Sequence, residues 1–451
     1  MKISFLYSVV ILSLLSGCST YGVIDNAPLE KLEGEETQYS LKEWTREDQH
    51  PELDLNISLS GGGTRAAAFA YGVLKGLRDT TVDLEGKSVR LLDEIDQISS
   101  VSGGSFTAAY YGLNGDGIFD TFEDAFLFRD VESSLFWGLA NPIEWFRAGG
   151  RTEMAVRYYD KHIFHNATFS DIKKDGPLII INSSGLGNGV RFSFIQEYFN
   201  FICSDINSFS VSKAVTASSS VPVLFLPVVL EKYPECSFSE PKWLKTVKSK
   251  AKGTEDPLLN ETIRGLDILA NKEELKYIHL VDGGITDNLG LHAIYDIVTV
   301  RGGAKETLQG LGKKPPKYFV IISVNSSTNP IRQMDVSNEE PSISETVDAM
   351  SSAQLHRYNS TTISLMEASI KKWANEVSTP EQEVKTYFID VSLQDHADPA
   401  VRLFFNKIPT SFGLSEETVD RLIKGGIDLL YKNSEYQRLI SDLKGHINTR
   451  D

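Results

Sequence analysis

Ser102 lies in the run Ile98-Ser99-Ser100-Val101-Ser102-Gly103-Gly104-Ser105-Phe106-Thr107-Ala108-Ala109. An apolar, β-prone segment meets a Ser-Gly-Gly turn and leaves through small, helix-compatible residues, an order that predicts strand, tight turn and helix. A serine at such a turn is held on strained backbone with its hydroxyl exposed, and the helix that follows aims N–H groups towards it. Two more turns carry reactive types: Gly61-Gly62-Gly63-Thr64-Arg65 and Asp282-Gly283-Gly284. Consecutive glycine N–H groups can converge on an anion, helped by the positive end of a helix dipole. An aspartate carboxyl in water ordinarily titrates at about 3.9, and desolvation raises it towards useful basicity. Serine as nucleophile, aspartate as base and glycine N–H groups around a developing oxyanion together make acyl-transfer chemistry. Each piece alone also has a plain structural use, as a Ser/Gly turn or an Asp-Gly turn.

Other chemistries fit less well. The triple glycine is not a phosphate loop, because no Gly-Lys-Ser/Thr follows and the GxGxxG spacing is missing. None of the eight histidines stands in a triad setting, and His279 precedes Asp282 on one strand as a structural residue. His162 and His165 could share a helix face but lack acidic or cysteine companions at a ligand spacing, so no metal and no cofactor are expected. The formal net charge of −16 and the lack of a basic stripe argue against nucleic acid as a partner. Oligomeric state is not legible.

The elements that must position these turns alternate. Leu53–Leu59 alternates apolar and polar residues as a strand does, and residues 64–77 follow as a helix. Residues 178–181 and 318–324 read as buried strands, 387–391 as a further strand, and 211–220, 289–300 and 343–374 as helices. Ser415 is placed to N-cap a helix over 416–431, with Glu416 and Glu417 in its first turn. The aromatics Phe126, Phe128, Phe136, Trp137, Trp145 and Phe146 read as core. Two prolines break the apolar run 221–230, so it is not a membrane span. Strands alternating with helices predict one α/β domain over residues 52–451, with a mostly parallel central sheet flanked by helices. The three turns would then meet at the carboxyl ends of parallel strands.

The amino terminus reads as a processing segment. Lys2 precedes a short apolar run, and Leu15-Ser16-Gly17-Cys18 is similar to a bacterial lipobox. That resemblance implies a signal peptide over 1–17, cleavage before Cys18 and acylation of it. Ser19, in place of aspartate, implies the outer membrane of a bacterial envelope. Several acyl chains make a stable anchor, since each buried CH₂ contributes about 0.8 kcal/mol. Residues 18–51 are polar, acidic and aperiodic, and read as a tether. Cys203 and Cys236 then remain, either as a disulfide or as two separate buried thiols.

In chain order, Gly61-Gly62-Gly63-Thr64-Arg65, Ser102-Gly103-Gly104, Ala217-Ser218-Ser219-Ser220-Val221-Pro222 and Asp282-Gly283-Gly284 together resemble the patatin-like phospholipase family, from about Leu53 to at least Tyr318. The resemblance implies the patatin-like fold, Ser102 as nucleophile and Asp282 as its partner. It implies an oxyanion hole from Gly61, Gly62 and Gly63, with Arg65, Gly104, Gly283 and Gly284 in support. Two positions depart from the pattern: Ser100 replaces the first glycine of the elbow, and Ala66 follows Arg65 where the family often has glycine. Neither carries an atom that should react.

The implied activity is lipid acyl hydrolysis through an acyl-Ser102 intermediate, with membrane lipids as substrate. Acyl transfer to an alcohol, or lipid binding without turnover, are the alternatives. Residues 231–276 are charged and loop-like, with Lys242, Lys245 and Lys248 around Trp243, and read either as an interfacial flap beside the site or as a solvated surface insertion with no role in it.

Overall fold

The computed structural model describes residues 22–29, 39–44, 46, 49–133, 150–222, 224–234, 236, 242–251 and 256–448. Its centre is a sheet of β1 (Leu53–Leu59), β2 (Ile95–Val101), β3 (Leu178–Gly185), β4 (Arg191–Ser193), β5 (Val228–Glu231), β6 (Tyr277–Asp282), β7 (Tyr318–Asn325) and β8 (Lys385–Ser392). The order β8-β7-β1-β2-β3 is parallel throughout. Near-continuous apolar runs such as Leu178-Ile179-Ile180-Ile181 are buried because helices cover both faces.

β4, β5 and β6 are antiparallel to their partners. This corrects the expectation that all three turns sit at the carboxyl ends of parallel strands. Val101 pairs with Asn182 and Asp282 with Ser183, while β4 occupies the opposite edge of β3 at both residues. β2 and β6 therefore approach each other end to end along one edge of β3. Their last residues face across a single step of that strand.

Helices follow the apolar periodicity. On one side α1 (Gly63–Arg78) packs against α2 (Gly103–Asn114) and against α9 (Glu416–Lys432). The Ser415 hydroxyl accepts the Thr418 N–H and caps α9, a contact worth about 1 kcal/mol. A second apolar cluster joins α6 (Leu291–Thr299), α7 (Ala304–Leu311) and the carboxyl half of α8 (Ile343–Val377) to β7. α3 (Val211–Ser218) packs against β3 and β6.

Two expectations are revised. Within residues 231–276 the described residues include two helices where loop was expected, α4 (Lys242–Ala251) and α5 (Pro257–Ala270). Asp256 caps α5, with Pro257 at its first position, and Leu266 and Leu269 enter the main core. Lys248 pairs with Asp267, so part of the basic character is neutralised inside the hairpin. The Cys203–Cys236 disulfide fastens the start of the segment to the body. It is a docked helical pair, not a free flap; the side chains of Lys242 and Trp243 lie outside the described residues.

The described parts of 18–51 are likewise packed and not a free tether. Ala27–Pro28 pairs with Ser204–Asp205, and the buried Tyr39 hydroxyl donates to the Ile179 carbonyl at 2.8 Å and accepts its N–H at 3.0 Å. Cys18 and the aromatics Phe136, Trp137, Trp145 and Phe146 fall outside the described residues, whereas Phe126 stacks on Phe106 with ring centroids 4.2 Å apart.

Candidate active site

Ser102 is the residue between β2 and α2, with φ 50° and ψ −119°. A non-glycine residue there costs on the order of 1–3 kcal/mol and persists only when its surroundings over-determine it. They do so here. The Ser102 N–H donates to the Ser218 hydroxyl at 2.9 Å, and the Ser102 carbonyl accepts the Ser105 N–H at 2.9 Å. Gly103 is required, because a Cβ on it would lie 2.0 Å from the Gly63 carbonyl oxygen. The elbow and the glycine loop are thus in backbone contact.

The Ser102 hydroxyl donates to Asp282 Oδ2 at 2.9 Å. Asp282 Oδ1 accepts the Gly284 N–H at 2.8 Å. Burial pushes the Asp282 pKa up to about 6, opposed by the hydrogen bonds from Gly284 and Ser102. The backbone that carries the carboxylate is held as well: the Asp282 N–H donates to the Ser220 carbonyl at 2.9 Å, and the Gly283 N–H donates to the Ser218 carbonyl at 3.0 Å. The Ala-Ser-Ser block at the end of α3 therefore grips nucleophile and carboxylate together. Among the described residues no histidine is hydrogen-bonded to Ser102 or Asp282.

The three loop glycines divide. The Gly61 N–H is occupied by the Asn288 carbonyl at 3.0 Å, which removes it as an oxyanion donor. This corrects the expectation for Gly61, where an added Cβ would lie 2.8 Å from Asn288 Oδ1 and 3.3 Å from the Ser102 Cβ, so its part is close approach. Gly62 and Gly63 have φ of 141° and 62°, and among the described residues their N–H groups meet no acceptor. They stand at the start of α1, where the helix dipole favours negative charge.

Arg65 does not face the elbow. It is buried and donates to the Ser326 carbonyl at 3.1 Å, the Ile408 carbonyl at 2.7 Å and the Thr410 hydroxyl at 3.1 Å. Burial lowers its pKa to about 10. Together with the Thr64 N–H on the Ser411 carbonyl at 2.9 Å, it straps the glycine loop to residues 408–411. Gly104 packs on the Leu59 and Ser60 carbonyls, so it too serves close approach.

Sequence reasoning missed Asn288, Ser326 and the separate role of Ser218. Ser326 donates to the Gly61 carbonyl at 2.8 Å. Serines at the ends of elements, Ser60 and Ser326 just after strands and Ser218 at the end of α3, were the available signal. A cleft lies elsewhere, at the amino-terminal ends of the parallel strands beside Asp54, Asp96 and Trp373, away from Ser102.

A family model described as patatin-like phospholipase matches residues 57–295, and the chain belongs to that family. Comparison with curated sequences returns no match. Among solved structures the chain is similar to human GIVD cytosolic phospholipase A2, at 14% identity and a TM-score of 0.43, over 90% of this chain and 62% of that one. It thus spans under two thirds of that relative's length. It is also similar to VipD from Legionella pneumophila, at 12% identity and a TM-score of 0.32, over 92% of this chain and 72% of that one. The type III effector ExoU follows at 13% identity and a TM-score of 0.23, over 87% and 76%.

Proposed function

We propose that this chain cleaves fatty acyl esters of membrane lipids with Ser102 as nucleophile and Asp282 as its base. The observation that carries the proposal is the 2.9 Å hydrogen bond from the Ser102 hydroxyl, on its strained turn, to the buried Asp282 carboxylate. The Ser102 oxygen attacks the ester carbonyl carbon while Asp282 takes its proton. Negative charge grows on the former carbonyl oxygen, which the Gly62 and Gly63 N–H groups receive; one such donor typically contributes about 2.7–4 kcal/mol. Collapse breaks the ester C–O bond, and the protonated Asp282 gives its proton to the departing alcohol. A water then attacks the acyl-serine, again losing a proton to Asp282, and the fatty acid leaves as Ser102 regains its hydrogen. A carboxylate with a pKa of about 6 suits both directions of transfer near neutral pH.

The lipobox-like Leu15-Ser16-Gly17-Cys18 supports export, acylation at Cys18 and residence at a bacterial outer membrane. A fluorophosphonate probe tests the catalytic reading: a single phosphonylated peptide carrying Ser102 is expected, together with release of free fatty acid from phospholipid vesicles. Absence of labelling on folded protein would leave a lipid-binding role, and labelling with acyl transfer but no free acid would make it a transferase.

A further inference from the structure

Residues 22–29 are bound tightly to one edge of the domain. Gly22 lies against Val229 of β5, where a Cβ would come within 2.2 Å of the valine. Lys213 of α3 is 1% exposed; it donates to the Val23 carbonyl at 3.0 Å and pairs with Asp25 and with Glu153. Asn26 and Glu231 of β5 exchange two hydrogen bonds of 2.9 Å. Ala27–Pro28 adds to Ser204–Asp205, and the Leu29 N–H reaches the Cys203 carbonyl at 2.8 Å, beside the disulfide. From Cys18 to Gly22 the chain takes four steps, which span at most roughly 14 Å.

That short reach ends near the catalytic carboxylate. Val229 pairs with His279 and Val228 with Leu280, two residues before Asp282. The Ser220 carbonyl holds the Asp282 N–H, and the chain returns from Ser220 to Val228 through an apolar turn that includes Pro222, Leu224, Phe225, Leu226 and Pro227. Leu224 is 59% exposed although nothing polar adjoins it in sequence.

We propose that the N-terminal arm holds the β5 edge of the domain against the membrane carrying its own anchor, with Leu224 entering that leaflet. Substrate lipid is then drawn from the same leaflet, next to Asp282. The inference rests on acylation at Cys18. It adds an orientation, which a long free tether would not impose. A bilayer is the occupant the geometry favours, because an acyl anchor within roughly 14 Å of Gly22 leaves little room for a protein partner between this edge and the lipid.

The test uses the full-length, acylated protein in phosphatidylcholine vesicles, with an environment-sensitive fluorophore at Leu224→Cys or, on an exposed turn before β8 as control, at Glu381→Cys. The Leu224 label should shift to the blue and be quenched by nitroxide-bearing lipid several-fold more than the Glu381 label. Twenty Gly/Ser residues inserted between Cys18 and Gly22 should bring the two labels together. Equal quenching of both labels in the uninserted, acylated protein overturns the orientation and leaves the anchor standing. A wild-type N-terminal peptide found without acyl chains by mass spectrometry overturns both.

Discussion

The Ser218 hydroxyl accepts the Ser102 N–H at 2.9 Å and donates its own hydrogen to the Asn182 carbonyl at 2.6 Å. One side chain thereby joins the end of α3 to β3 and to the elbow. Its own carbonyl receives the Gly283 N–H, so this residue touches both halves of the site.

Ser218→Ala is therefore expected to act on turnover through geometry. It leaves a buried N–H unsatisfied at a residue already at φ 50°, at a cost of about 1–3 kcal/mol. The kcat should fall at least tenfold with KM little changed, and fluorophosphonate labelling should slow in parallel. A loss confined to thermal stability, with kcat intact, would make Ser218 a packing residue only.

Arg65 tests the strap on the glycine loop. Lysine cannot reproduce three donors directed at the Ser326 and Ile408 carbonyls and the Thr410 hydroxyl. Arg65→Lys should destabilise the fold by about 2 kcal/mol, read from urea unfolding, and lower kcat more than KM rises.

The pH dependence follows from burial. Asp282 must be ionised to accept the Ser102 proton, so kcat/KM should rise as pH passes through about 6 and then level. Stability takes the opposite sign. The folded pKa lies above the ordinary value of 3.8, so between about pH 4 and 6 the folded state holds the proton that the unfolded state has lost. Asp282 thus costs stability as pH rises through that window, on the order of 3 kcal/mol in total. Asp54 and Asp390 are shifted in the same direction, so the contribution is read as the difference between wild type and Asp282→Asn. The variant should be more stable than wild type at pH 7 and lose part of the slope between pH 4 and 6.

The Cys203–Cys236 bond closes a separation of 33 residues. In the chain-entropy model this stabilises by about 3–4 kcal/mol. The double Cys→Ser variant should lose that much in denaturant unfolding. Unchanged stability with intact thiols in the wild type would show the bond is not formed.

Much of this site was legible because its chemistry is local. A strand, a glycine turn and a helix are written side by side around Gly61, Ser102 and Asp282, and the long helix over Ile343–Val377 announces itself by length. Strand direction is not local: nothing in Tyr277–Asp282 says that β6 runs against β3 and meets β2 end to end. The Gly61 N–H looked available because its acceptor, the Asn288 carbonyl, lies more than two hundred residues away. The charged stretch 231–276 masked two helices whose buried faces are short, although Asp256-Pro257 was a readable start. The arm 22–29 is held by single side chains and two ladder residues, too little pattern for periodicity to register.

The most direct measurement is fatty acid release from phospholipid vesicles by Ser102→Ala, Asp282→Asn and the double variant, each verified as folded. A nucleophile and its base act as a unit, so their losses do not add. Each single variant should lose activity by at least three orders of magnitude, and the double variant should be hardly worse than either. Near wild-type release by folded Asp282→Asn would contradict the Ser102–Asp282 assignment.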